Sequence, residues 1–140
     1  MKLVIDANEL FSIIIAKGKD RETKKIDILF SDKFELFAPS LLFTELHNNK
    51  EEIKEKSGFS ENNFLAFLKI IELRIKTISE EDLSEKLEEA KSISTHPKDI
   101  LYFAVALKLD CPIWSGEKRL KNQQKVKVYN TKDIIEKFEI

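Results

Sequence analysis

Four acidic residues stand where the surrounding pattern is apolar or helix-capping. Asp6 ends the run Lys2-Leu3-Val4-Ile5, and Glu45 lies among Thr44, His47 and Asn48. Asp99 follows Pro97, and Glu117 comes just after Ile113-Trp114-Ser115. Taken singly, each has an ordinary use. Asp6 suits the cap of a following helix, Glu45 an exposed helix face, and Asp99 and Glu117 the helix dipole, a contact worth roughly 0.3–1 kcal/mol. Taken together they point to chemistry. Carboxylates held close repel, and burying an unpaired anion is costly, so a cluster of them calls for a divalent cation. Oxygen donors suit Mg2+ or Mn2+. A cation so held polarises a phosphoryl oxygen and lowers the pKa of water, which makes phosphodiester hydrolysis the expected reaction.

The acids can meet only if the chain brings them to one edge. Residues 3 to 5 form an apolar β-branched run of the kind a parallel sheet buries on both faces. A helix is predicted from Asn8 to Ala16, closed by Lys17-Gly18, then a second over 22 to 30 and a strand over 34 to 38. Ser40 is expected to cap a long helix reaching about Lys56, and Ser60 to open another with Phe64, Phe67, Leu68 and Ile71 along one side. Strands follow at 74 to 78, 112 to 115 and 126 to 129, with a helical turn at 117 to 122. Helices are predicted over 80 to 93, from Pro97 to about Leu109, and over 131 to 138.

This alternation implies one α/β domain over 1 to 140, a three-layer α/β/α sandwich with a central parallel sheet of about five strands. Ligands of such sheets gather at the carboxyl ends of the strands. Asp6 and Glu117 share that edge, and they face one crevice if their strands are neighbours at the switch point.

Hydrophobic residues at 42% supply a core and charged residues at 35% a soluble surface. A formal net charge of -1 gives no overall field towards nucleic acid or membrane, so any such site must come from local clustering. The single cysteine, Cys111, excludes an intramolecular disulfide framework and suits a reducing cytoplasm. No apolar run is long enough for a membrane span, and none resembles a secretory leader. A Gly-rich phosphate loop and a dinucleotide fingerprint are both missing.

The segments VIDAN, FTELHNN, HPKDILYFAVALKL and IWSGEKRL resemble, in order and spacing, the four acidic landmarks of the PIN-domain ribonucleases, a family that includes VapC-type toxins. The resemblance runs from Lys2 to about Ile135. It implies a metal-dependent nuclease of single-stranded RNA that leaves a 5′-phosphate, acting as the toxin of a toxin–antitoxin pair or in RNA processing. By that resemblance Asp6, Glu45 and Asp99 are the first three metal-site acids and Glu117 the fourth. Asn8 and Ser115 match polar positions that hold waters or orient carboxylates. Glu117 departs from the family pattern, which carries Asp there. Its extra methylene shifts the carboxylate by roughly 1.5 Å, one carbon–carbon bond.

Lys118, Arg119 and Lys121, just beyond Glu117, are placed to grip substrate phosphates. The cluster Lys17, Lys19, Arg21, Lys24 and Lys25 reads as solvated surface, His47 and His96 as surface or capping residues, and Trp114 as core. Phe59, Phe64 and Phe67 pack a helix, and an exposed part of that stripe would suit a homodimer. Two other readings compete. One is a catalytically weak PIN-like module that binds RNA or a protein. The other, a metal-dependent phosphatase, is less well supported because Asn8, two residues after Asp6, leaves no paired Asp.

Overall fold

A computed structural model describes residues 1–140. Strand β1 (Lys2–Ile5) is followed by α1 (Ala7–Gly18), α2 (Lys24–Phe30), β2 (Glu35–Pro39), α3 (Leu41–Asn48), α4 (Lys50–Ser57) and α5 (Glu61–Arg74). Then come β3 (Ile75–Ile78), α6 (Leu87–Ile93), α7 (Ile100–Leu109), β4 (Ile113–Trp114), β5 (Val128–Tyr129) and α8 (Thr131–Phe138). The five strands form one parallel sheet in the order β3-β2-β1-β4-β5. With helices on its faces, this is the α/β/α sandwich the alternation predicts.

The sheet order turns back at β1, whose neighbours are β2 and β4. Register pairs Val4 with Ile113 and Ile5 with Trp114, so Asp6 and Ser115 come next along adjacent strands. Leu3, Val4, Ile5, Ile113 and Trp114 are wholly buried, which accounts for their continuous apolar runs. Helix α7 packs across β1, β2 and β4, carrying Phe103, Ala104 and Val105 into the core.

Local chemistry corrects four of the predicted boundaries. The long helix from Ser40 is two helices, broken at Asn49 (φ -103, ψ 12), whose side-chain amide donates to the Glu45 carbonyl at 2.7 Å. That side chain competes with the helical backbone for its own partners, and the chain bends there. Ser40 does not cap, because it is itself helical and its N–H donates to Ile78 O, continuing the β2–β3 pairing. The charged helix over 80 to 93 opens as a 3-10 segment, Glu81–Lys86, before α6, and the one from Pro97 opens as Pro97–Asp99 before α7.

The bend at Asn49 brings α4 against α1. Gly18 marks their closest approach, where a Cβ would stand 2.5 Å from Ser57 O and 2.6 Å from Ser57 Cβ. Gly18→Ala is therefore expected to lose about 1–3 kcal/mol, as an overpacked contact does, despite alanine's better helix propensity. Urea denaturation checks this; an unchanged midpoint would mean that the two helices part freely.

Candidate functional site

A cavity of about 760 Å³ opens at the carboxyl edge of the sheet, and Asp6, Glu45, Asp99 and Glu117 all line it. The sequence-predicted acids thus meet. Asp6 leaves β1, Glu45 lies on α3 just after β2, Asp99 stands at the start of α7, and Glu117 lies just past β4.

The ordinary uses of these acids are not the ones adopted. Asp6 occupies the N-cap position of α1 and Asp99 that of α7, yet neither side chain caps its helix. Glu117 likewise gives no cap to the 3-10 turn Lys118–Lys121. A capping carboxylate contributes about 1 kcal/mol, and three such contacts are left unmade.

The side chains turn to one another instead. Ser115 Oγ donates to Asp6 Oδ2 at 2.7 Å and accepts the Glu117 N–H at 3.0 Å, tying two acids together. Asn8 Nδ2 donates to Glu117 Oε1 at 2.7 Å, and the Tyr102 hydroxyl to Glu45 Oε1 at 3.2 Å. Arg119 reaches across the cavity: Nε donates to Asp99 Oδ2 at 2.8 Å, Nη2 to Asp99 Oδ1 at 3.0 Å and Nη1 to Glu117 Oε2 at 3.2 Å.

Burial pushes the Asp6 carboxyl up to about 6 against the Ser115 hydrogen bond, and Glu9, Asp99 and Glu117 push it further in the same direction. Glu45 is also raised by burial, partly offset by Tyr102 and Lys98. The edge therefore concentrates negative charge in a partly dry setting.

Two contributors went unnoticed in the sequence. Tyr102 orients Glu45 from α7. Glu9, only 5% exposed, accepts the Gly116 N–H at 3.0 Å and pairs with Lys25 at 3.0 Å, thereby holding the turn that carries Ser115 and Glu117. A signal for it exists, because Glu9 lies one helical step before Ile13 and shares the inward stripe of α1.

Among the basic residues, Arg119 lines the cavity, whereas Lys118 and Lys121 do not, and Lys121 pairs with Asp133 at 3.1 Å. Arg21, Lys56 and Lys98 line it as well. No ion pair in the chain involves Arg21 or Lys98. His96 caps the Lys98 N–H through Nδ1 and reaches the cavity rim, while His47 is exposed elsewhere. Trp114 is wholly buried, with Nε1 donating to Thr131 Oγ1 at 3.1 Å, and has no face free for a base.

A fold with acids gathered at the switch point of a 3-2-1-4-5 sheet is that of a PIN-like protein. The PIN domain family model matches residues 4–136, and the chain belongs to that family. Among solved structures, VapBC2 from Rickettsia felis, bound to a DNA fragment from its promoter, matches with a TM-score of 0.60. The match has 17% identity and covers 93% of this chain and 98% of that one, a likeness of fold alone. No curated protein matches the chain. No helix is long and apolar enough to cross a membrane.

Proposed function

We propose that the protein is a metal-dependent endoribonuclease acting on single-stranded RNA. The observation that carries this reading is the meeting of Asp6, Glu45, Asp99 and Glu117 in one cavity, with Asp6 and Asp99 withheld from their helix caps.

The donor set is all oxygen, which fits Mg2+ or Mn2+. Asp6 is raised chiefly by burial, with Glu9, Asp99 and Glu117 adding to it, and a divalent cation would offset both. As the side chains stand, no group of three acids is arranged to hold an ion, and Arg119 holds both Asp99 oxygens and one of Glu117. The fit is therefore one of chemistry, and the acid side chains must draw closer to hold an ion. Asp6, Glu45 and Asp99 would hold the cation, with Glu117 completing the site. A bound cation would supply Lewis acidity to the phosphoryl oxygen and a lower pKa to water.

The chain's own groups do the remaining work. Ser115 and Asn8 fix Asp6 and Glu117, and Tyr102 fixes Glu45. Arg21 and Lys98 line the cavity and are placed to meet phosphates along a strand, with Arg119 beside them, whereas Lys118 and Lys121 lie outside it. The R. felis structure is of a complex, which supports an antitoxin partner and a toxin's role here.

Labelled single-stranded RNA incubated with Mn2+ is expected to be cut to 5′-phosphate products, and EDTA to stop the reaction. Failure to cut several RNAs, together with no calorimetric heat on adding Mn2+, would favour the binding module over the enzyme.

A further inference from the structure

The cavity carries its own cation. Arg119 spans Asp99 and Glu117 with three hydrogen bonds of 2.8, 3.0 and 3.2 Å, and Asn8 takes the remaining oxygen of Glu117. All four oxygens of those two acids are therefore engaged by protein donors. Asp6 Oδ1 and Glu45 Oε2 accept none, since the protein donors to those side chains use the other oxygen. Asp99 is only 6% exposed, so a buried carboxylate meets its counter-charge within the same chain. Its partner is movable: the Arg119 side chain is 38% exposed and donates to nothing but these two acids.

We propose that Arg119 is a resident counter-cation, which neutralises Asp99 and Glu117 while the cavity holds no metal and must release them when a divalent ion enters. The inference rests on the metal-dependent reading above. A planar guanidinium suits the role because its fixed fork grips Asp99 with two hydrogen bonds while its remaining amine reaches Glu117, a geometry an ammonium's point charge does not preset. Without such a group, Asp99 would face Asp6 as an uncompensated buried charge and Glu117 as a partly exposed one. With it, cation binding becomes an exchange, and apparent metal affinity is lowered by the strength of the bridge.

The test is calorimetric titration of Mn2+ into the full chain and into Arg119→Gln and Arg119→Lys. Arg119→Gln is expected to bind about tenfold more tightly than the native protein, and Arg119→Lys a few-fold more tightly. In EDTA at neutral pH, Arg119→Gln should melt below the native protein and gain more from added Mn2+. If it does not fold in EDTA, Arg119→Lys carries the comparison alone. Equal or weaker binding by the variants, with binding by the native protein intact, would overturn the inference and leave Arg119 as a holder of the acids. Absence of Mn2+ binding by every protein would overturn the metal reading, and the inference with it.

A second readout is the side-chain Nε resonance of Arg119 during Mg2+ titration, with Arg74, bonded to Leu29 O, as the internal control. A shift confined to Arg119 is expected, and an unmoved signal at saturating Mg2+ counts against release.

Discussion

Asp6→Asn should lower RNA cleavage by on the order of a thousandfold, because even the outer partners of metal ligands are worth roughly ten- to a hundredfold. The same substitution should stabilise the protein at neutral pH in EDTA. Asp6 has its carboxyl raised from 3.8 to about 6 in the folded state, chiefly by burial. The folded protein therefore holds this proton more tightly than the unfolded chain. The stability it confers is fully present below about pH 4 and is lost as pH rises through about 6.

Asparagine stays neutral throughout and its amide oxygen can still accept from Ser115. Asp6→Asn is thus expected to match the native protein near pH 4 and to exceed it by about 2–3 kcal/mol above pH 7. Denaturant melts of the two proteins between pH 4 and 8 check this. A pH-independent difference would show that the folded fabric does not strain Asp6. Saturating Mn2+ should close the gap by stabilising only the native protein.

The second large effect belongs to Glu9. Glu9→Ala removes the acceptor of the Gly116 N–H and the charged partner of Lys25, leaving a part-buried donor unpaired and Lys25 with Ser12 Oγ alone. Breaking a fully buried pair costs roughly 3–5 kcal/mol, and Lys25 retains some solvent, so a loss of about 2–3 kcal/mol is expected. Glu9→Gln keeps an acceptor for Gly116 and should lose about 1 kcal/mol. Cleavage should fall further in the alanine variant, because Ser115 and Glu117 flank the freed turn. Urea denaturation and initial cleavage rates, measured on both variants, decide it; two variants of equal stability would remove the charge from the argument.

The legible part of this protein follows from punctuation. Asp6 and Glu117 announce themselves because each interrupts or follows a run too apolar to end on a carboxylate without cause, and parallel strands put such endings at one edge. Their meeting depends on β1 lying beside β4, which the sheet order provides and local pattern cannot. Arg119 reads as one member of a basic stretch, and its reach back over twenty residues to Asp99 exists only in three dimensions. Glu9 hides for a different reason. Three residues after Asp6 is where a capping box would place an acid, so a local explanation was already available. The break at Asn49 hides because asparagine is tolerated within helices; the bond to Glu45 O turns it into a bend.

The contact between Gly18 and Ser57 has a further consequence. Helices α1 and α4, packed against each other, both line the cavity, through Phe11 and Ile15 on one and Glu52 and Ile53 on the other. They meet without room for a methyl at Gly18, about 18 Å along α1 from Asp6 at 1.5 Å per residue over twelve residues. Two helices joined this closely carry their cavity-lining residues as one wall. Substitutions along that wall reshape the cavity while leaving the acids at the carboxyl edge of the sheet in place.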